Sequence, residues 1–116
     1  MAKKTSKKTI LDPKMIIQLE QLLQSALRFH QTGNLTQAKQ LYQQIIRTNP
    51  NQAIATHYLG AIEHQQGNNP HAEQLIRKAL KLDPNMHQAY NNLGIVLRAL
   101  GKLEQAKTTY LKLVKL

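Results

Sequence analysis

The chain lacks the residues that build several common kinds of site and fold. It has 116 residues, no cysteine and no tryptophan, and aromatic residues make up only 4% of it. The absence of cysteine excludes disulfides and thiolate metal sites. Because aromatic residues are so few, the core must consist of leucine, isoleucine and alanine, which favours helix-on-helix packing over a β-sandwich. The length suits one domain.

Long apolar runs are missing as well. No segment approaches the roughly 18 apolar residues that a membrane-spanning helix requires. The N-terminal segment MAKKTSKKTILDPK is basic, but no apolar stretch of about 7–15 residues follows its charges, so it is not a secretion signal. We therefore expect a cytoplasmic protein that does not enter a membrane.

Acidic residues are scarce, and the formal net charge is +10. Such a balance fits an acidic partner such as nucleic acid. Part of the charge is local, because Lys3, Lys4, Lys7 and Lys8 lie close together. A short polar run of this kind buries too little surface to fold. We predict a flexible basic tail over residues 1–11 and a folded domain over residues 12–116.

The chain repeats itself with a period of 34 residues. Four columns share this spacing: Gly33, Gly67 and Gly101; Ala38, Ala72 and Ala106; Gly60 and Gly94; Pro50 and Pro84. A fixed period of this size indicates repeated helix pairs. Apolar residues at helical spacing lie on both sides of each glycine in the first column, so each unit contains two helices with a glycine turn between them. The predicted repeats are approximately residues 19–52, 53–86 and 87–116.

This pattern resembles the tetratricopeptide repeat family, whose units carry a bulky residue, Leu-Gly or Leu-Ala, an aromatic, and later Ala, an aromatic and Pro. The third unit follows it with Tyr90, Leu93, Gly94, Leu97, Ala106 and Tyr110. In the second unit Glu63 stands where an apolar or aromatic residue is usual. The stretch AYNNLGIVLRALGKLEQA is most like the arrays of O-linked GlcNAc-transferase-like proteins. The resemblance implies an all-α, right-handed α-solenoid of three helix-turn-helix repeats, the last one uncapped.

Two glycines of the third unit are expected to serve packing and chain reversal. Gly94 is predicted to lie where the two helices touch, against Ala106, and a larger residue there would cost about 1–3 kcal/mol. Gly101 is predicted to form the turn. Their spacing matches no dinucleotide-binding or phosphate-binding loop.

The resemblance also implies a site, because first helices of the family line a concave groove that holds extended peptide. The residues expected there are Leu23, Leu27, His30, His57, Tyr58, His64, Asn91, Asn92, Ile95 and Arg98, with Ile54, Gln65 and Gln88 beside them. Amide side chains pair with a peptide backbone without reading its sequence. Family members that hold a C-terminal carboxylate use Lys, Arg and Asn on this groove. Only Asn92 matches that set here, so carboxylate capture is not expected.

The edges of the array carry two further expectations. Asp12-Pro13 predicts a helix N-terminus, with a first helix running to about Thr32. The chain stops inside the second helix of the third unit, where a following helix would ordinarily cover the apolar side chains. Either the sequence is a fragment or another chain covers them. We predict self-association, checked by light scattering, through the N-terminal extension or through Leu111, Leu113, Val114 and Leu116.

No catalytic residue, metal site or cofactor is expected. The acidic residues form no Ser-His-Asp set, and Glu73 and Glu104 are interpreted as surface charges with basic neighbours. His57 and His64 would lie about 10.5 Å apart along one helix, too far to share an ion. His30, on another unit, could approach only one of them, so ligand spacing argues against a metal.

We predict a non-catalytic scaffold that binds a protein or peptide partner in the groove. One alternative is the N-terminal substrate-docking or regulatory segment of a larger glycosyltransferase-like enzyme. Another is a basic adaptor for nucleic acid, using the lysines and arginines of the second helices. The shortage of aromatic side chains for base stacking disfavours the last alternative.

Overall fold

A computed structural model describes residues 11–116 of the chain. This part forms α1 (Pro13–Gln31), α2 (Leu35–Thr48), α3 (Ala53–Gln65), α4 (Asn69–Leu82), α5 (His87–Ala99) and α6 (Leu103–Val114), and it contains no strand. The prediction of an all-α chain of helix pairs is confirmed. The lysines of the predicted basic tail lie outside the described residues. Contacts divide the chain into two compact units, Met1–Pro50 and Asn51–Leu116. The single folded domain over residues 12–116 stays a prediction.

Helix starts follow local chemistry. Asp12 caps α1, because its carboxylate accepts a hydrogen bond of 2.8 Å from the backbone N–H of Met15. Pro13 opens the helix, where its missing N–H leaves no bond unmade. Pro70 lies in the first turn of α4 for the same reason. The predicted start and extent of α1 are therefore confirmed.

A glycine in the left-handed conformation ends the first helix of each pair. Gly33, Gly67 and Gly101 have φ values of +84°, +87° and +78°, which side chains other than hydrogen rarely tolerate. After each glycine, the next backbone N–H bonds back to the carbonyl five residues earlier, at 2.8 Å in all three turns. This is the Schellman ending, and it confirms the predicted role of the glycine column.

In the first unit, α1 packs against α2. The buried residues of these two helices are Leu19, Leu23, Ala26, Ala38, Tyr42 and Ile45. Tyr42 is completely buried, and its hydroxyl lies 3.2 Å from Nδ1 of His30. A buried Tyr hydroxyl needs such a partner, so α1 and α2 are joined by a polar contact as well as by apolar packing.

In the second unit, α3 packs on α4, and α5 packs on both α4 and α6. Its apolar cluster consists of Ala72, Ile76, Ala89, Leu93, Val96, Leu97 and Ala106. Burial of each large aliphatic side chain contributes roughly 1.5–3 kcal/mol. The predicted leucine, isoleucine and alanine core is confirmed, and the alanine column allows the helices to approach closely.

The two glycines inside first helices also lie at helix contacts. A Cβ built on Gly94 would overlap the ring of Tyr110, and one on Gly60 would lie 2.7 Å from Cγ1 of Ile76. The predicted close approach at Gly94 is confirmed, but the neighbouring residue is Tyr110 and not Ala106. Tyr110 lies about one turn further along α6 than Ala106, and its ring packs over the glycine.

Glu63 is 3% exposed, and its carboxylate is satisfied by residues of the following turn and helix. Asn68 donates a 2.9 Å hydrogen bond to Oε1, and Nδ1 of His71 lies 3.4 Å from the same oxygen. The family position that usually holds an apolar residue thus holds a buried carboxylate here, stabilised because polar partners stand beside it.

Candidate interaction surface

The first helices of the second and third repeats contact each other and present one shared surface in the second unit. We call it the α3–α5 face. Its members are Ile54, Tyr58 and Gln65 on α3 and Gln88, Asn91, Asn92, Ile95 and Arg98 on α5. Tyr58 and Asn92 are half-buried, and the other members are exposed. The spacing of these residues follows one side of each helix.

Two hydrogen bonds cross between α3 and α5. The Tyr58 hydroxyl donates to Oε1 of Gln88 at 3.2 Å, and Nδ2 of Asn92 lies 2.8 Å from Nε2 of His57. With the amide nitrogen of Asn92 as donor, Nε2 of His57 is the acceptor. The ring of Tyr58 packs against that of His57, with centroids 4.8 Å apart. These contacts hold the polar side chains of the face in fixed positions before any partner binds.

Two residues expected in the groove are buried within the chain. His57 is 1% exposed, so its ring contacts Asn92 inside the chain and is not accessible to a partner. Leu23 of α1 is part of the buried set of the first unit. The expectation that these two side chains line an open surface is corrected, because the family register assigns a helix face but not the depth of each side chain.

The remaining predicted residues are at least partly accessible. On α1, Leu27 and His30 are half-buried. On α3, His64 is half-buried, and its Nδ1 lies 2.6 Å from Oδ1 of Asn69 at the start of α4.

The α3–α5 face carries no exposed acidic residue. Glu63 is the one carboxylate on α3 and α5, and it is buried and accepts a hydrogen bond from Asn68. Arg98 supplies an exposed cation. Two apolar side chains, Ile54 and Ile95, are 40% and 36% exposed. The face therefore combines apolar contact area, amide groups and positive charge.

The apolar residues predicted for self-association lie on α6 and just after it. Leu111, Val114 and Leu116 are exposed, and Leu113 is half-buried. Leu103 at the start of α6 is also exposed, at 64%, which the repeat pattern did not indicate. Self-association through this surface stays a prediction.

Glu73 of α4 is more than a surface charge. Its carboxylate is only 14% exposed and accepts hydrogen bonds from Nε of Arg77 at 2.8 Å and Nζ of Lys102 at 2.9 Å. Burial raises the pKa of Glu73, but the hydrogen bonds and charges of Lys102 and Arg77 lower it by more, so the pKa lies below its ordinary value of 4.5. The contact joins α4 to the turn before α6, which the sequence interpretation missed.

Within residues 11–116 there is neither a metal-binding cluster nor a membrane-spanning helix. In this range no three His, Asp or Glu side chains gather closely enough to hold a metal ion. None of the six helices is both long and apolar enough to cross a bilayer.

Comparison with known protein families identifies the class of protein. A profile of the tetratricopeptide repeat family matches residues 23–87, and a second profile of that family matches residues 75–108. The first match spans more than half of the chain. The chain belongs to the tetratricopeptide repeat family, as its 34-residue period indicated.

Solved structures share this fold. The second TPR of Spaghetti (RPAP3) bound to the HSP90 peptide SRMEEVD superposes with a TM-score of 0.80 at 21% identity, covering 85% of this chain and 92% of that one. MamA gives a TM-score of 0.77 at 20% identity, covering 84% of this chain and 57% of that one.

A mutant O-GlcNAc transferase of Thermobaculum terrenum gives a TM-score of 0.85 at 25% identity. The match covers 91% of this chain but spans only 20% of the transferase. The predicted likeness to repeat arrays of such transferases is confirmed. Among curated proteins, none matches the chain significantly.

Proposed function

We propose that the α3–α5 face binds an extended segment of a partner protein, so that the chain serves as a protein–protein interaction module. The observation that carries this proposal is the presence of exposed isoleucines and exposed amide groups on one face. Ile54 and Ile95 offer apolar contact to alternate side chains of a peptide. The amide of Asn91 is exposed and able to pair with its backbone.

Preorganisation supports the same proposal. Tyr58 and Asn92 are held by hydrogen bonds to Gln88 and His57. Because these side chains are already held, they lose less conformational freedom when a partner binds than mobile side chains would, which favours affinity.

The charge of the face points to peptides that carry acidic residues. Arg98 is exposed, and no exposed carboxylate on α3 or α5 opposes an incoming one. A solved neighbour, the second TPR of Spaghetti, is bound to the HSP90 peptide SRMEEVD, which contains three acidic residues. In this chain Leu23, Leu27, Tyr58 and Gln88 stand where carboxylate-holding members have basic or amide residues. We expect binding that does not depend on a free C-terminus.

An array of extended peptides tests the proposal. It would contain acidic, neutral and basic peptides with isoleucine- or leucine-sized side chains, together with SRMEEVD in free and amidated forms. We expect acidic members to be captured and the two forms of SRMEEVD to behave alike. The double variant Asn91→Ala, Arg98→Ala should bind about tenfold more weakly, since two hydrogen-bonding side chains of roughly 0.5–1.5 kcal/mol each are lost.

The matched control is Gln74→Ala, Lys78→Ala, which removes one amide and one cation from exposed positions of α4. It should bind as the unchanged chain does. Equal binding by both double variants would remove the α3–α5 face from consideration. Asn92 is left intact, because its removal would also disturb the buried His57.

A second candidate is that the chain is the docking or regulatory repeat segment of a larger glycosyltransferase-like enzyme. The likeness to the Thermobaculum terrenum transferase, with a TM-score of 0.85, favours it. The reading frame around the coding sequence tests this candidate directly. A catalytic glycosyltransferase domain in the same frame would support it, and a stop codon on each side without such a domain would refute it.

A further inference from the structure

A second concave site lies in the same unit, away from the α3–α5 face. It is a cleft of about 610 Å³ between α4 and α6, with residues of α5 as its floor. The volume is in the range of sites that hold ligands or side-chain clusters of a partner. We call it the α4–α6 cleft.

The floor of the α4–α6 cleft is apolar. Leu80 of α4 and Tyr90 of α5 line it while only half-buried, and Pro84 closes one part of it from the turn after α4. Leu93 lies beneath them and is part of the core. Half-buried apolar groups in a concave site gain free energy when a partner removes their remaining surface from water.

The rim of the cleft is basic on both helices. Arg77 and Lys81 of α4 and Lys112 of α6 line it, and Glu104 is the one carboxylate among the lining residues. Arg77 is already engaged, because it bonds Glu73 and donates from a guanidinium nitrogen to Oε1 of Gln105 at 2.8 Å. That contact crosses from α4 to α6 and fixes the separation of the two walls.

Lys81 and Lys112 are exposed, and within residues 11–116 neither makes an ion pair. Both line the cleft, Lys81 on the α4 wall and Lys112 on the α6 wall. A ligand carboxylate placed between them would be attracted by both, and partial exclusion of water would strengthen that attraction. The hydroxyls of Thr108 and Thr109 donate their protons to carbonyls of their own helix, so they do not donate to the ligand carboxylate.

We propose that the α4–α6 cleft binds an acidic amphipathic peptide segment, with large apolar side chains on Leu80 and Tyr90 and carboxylates at Lys81 and Lys112. The argument rests on charge complementarity at a site with an apolar floor, and it does not depend on the α3–α5 face. If both proposals hold, the chain binds two peptide segments at once through different helices.

A designed probe tests the cleft. It is a twelve-residue peptide, acetylated and amidated at its ends, with Leu and Phe on one helical face and four Glu on the other, labelled for fluorescence anisotropy. Amide chemical shifts from NMR locate where it binds. We expect the shifted amides to lie on α4 and α6. The variant Lys81→Glu, Lys112→Glu should bind the probe at least about tenfold more weakly.

The matched control is Lys78→Glu, Lys107→Glu. It makes the same charge change at exposed residues of the same two helices, outside the lining of the cleft. It should stay within about threefold of the unchanged chain, since only long-range attraction is reduced. Thr108→Trp places a large side chain in the cleft without changing charge, and it should weaken binding about tenfold as well.

Equal weakening by the two charge-reversed variants would overturn the proposal, because it would mean unspecific attraction to a basic chain. Failure of the probe to bind at millimolar concentration would overturn it too. Shifts confined to α3 and α5 would overturn it while supporting the α3–α5 face. Competition by single-stranded RNA at the same amides, with no loss in Thr108→Trp, would assign the basic rim to nucleic acid instead.

Discussion

The hairpins α3–α4 and α5–α6 have the same backbone path, but they differ in the polarity of one buried position. Both turn at a glycine with positive φ and close with the same 2.8 Å backbone hydrogen bond. Both place a glycine opposite a large side chain of the second helix, Ile76 in one and Tyr110 in the other. Three residues after that glycine, however, one hairpin buries Glu63 and the other buries Leu97.

The difference lies in the residues around the turn. Glu63 is bonded by Asn68 and lies near His71. The residues 34 positions later are Lys102 and Gln105, and each is committed elsewhere, Lys102 to Glu73 and Gln105 to Arg77. The period thus determines the path of the backbone, whereas the polarity of a buried position depends on neighbours that do not repeat.

The largest effect is expected when a carboxylate is placed at the equivalent position of the α5–α6 hairpin. Leu97→Glu places a carboxyl group at a fully buried position. The residue equivalent to Asn68 is Lys102, which would have to break its bond to Glu73 to pair with the new carboxyl group. We expect a loss of about 3 kcal/mol or more in the free energy of unfolding, because an unpaired buried charge is expensive. Urea denaturation followed by circular dichroism measures it. Leu97→Met serves as the control of similar volume and should cost less than about 1.5 kcal/mol.

The reverse exchange should cost far less. Glu63→Leu removes a buried carboxylate and leaves Asn68 and His71, both exposed, free to bind water. Replacing a buried polar cluster by a well-packed apolar residue is often neutral or stabilising. A loss of unfolding free energy as large as that of Leu97→Glu would contradict the view that the α3–α4 hairpin tolerates its carboxylate without requiring it.

The two glycines at helix contacts are expected to differ in how much stability is lost when each is replaced by alanine. A methyl group on Gly60 would lie 2.7 Å from Ile76, 3.2 Å from Cβ of Leu75 and 3.3 Å from the carbonyl oxygen of Ala72. Ile76 is completely buried and the other two atoms are close to the backbone, so little can move. We expect Gly60→Ala to cost about 1–2 kcal/mol, after a helix-propensity gain of about 1 kcal/mol.

Gly94→Ala should cost less than about 1 kcal/mol, because the nearest atoms belong to the half-buried ring of Tyr110, which moves more easily than the completely buried Ile76. Thermal unfolding of the two variants compares them directly. In a Tyr110→Leu background the cost of Gly94→Ala should vanish. If Gly94→Ala proved the costlier of the two, the ring of Tyr110 would be the less movable neighbour.

These contrasts mark what the sequence was able to predict. The columns at 33, 67 and 101 predicted the turns, because a left-handed backbone admits glycine almost alone and the geometry recurs in each repeat. The alanine column predicted the close helix contacts. The contact of Gly94 with Tyr110 was missed, because it depends on the direction of a long side chain and not on residue spacing.

The candidate site, too, was predicted only in part from the sequence. Family register placed Asn91, Ile95 and Arg98 on α5 at positions that are exposed in the structure. It did not indicate that His57 is buried against Asn92. One signal was present, since these two residues are 35 positions apart, one more than the period, and so belong to neighbouring first helices. The α4–α6 cleft gave no such signal, since a space between helices has no sequence pattern of its own.

The last expected effect depends on pH and concerns an ion-pair cluster that joins the two hairpins. Glu73 bonds Arg77 on its own helix and Lys102 before α6, whereas the residue 34 positions later is Lys107. The pKa of Glu73 is lower in the folded chain than its ordinary 4.5. Its contribution to stability is therefore complete above about pH 5.5 and is lost as the pH falls through the folded-state pKa.

Glu73→Gln should lower the free energy of unfolding by about 1 kcal/mol near neutral pH, discounted because Arg77 and Lys102 are themselves nearly half exposed. The difference from the unchanged chain should shrink steadily below pH 4.5. Glu104→Gln, which removes an exposed carboxylate of α6, is the control and should change stability little. A Glu73→Gln difference that stayed constant from neutral to strongly acidic pH would mean that the side chain acts through its shape. The two hairpins would then be joined by packing and by hydrogen bonds such as that from Arg77 to Gln105, without help from the charge of Glu73.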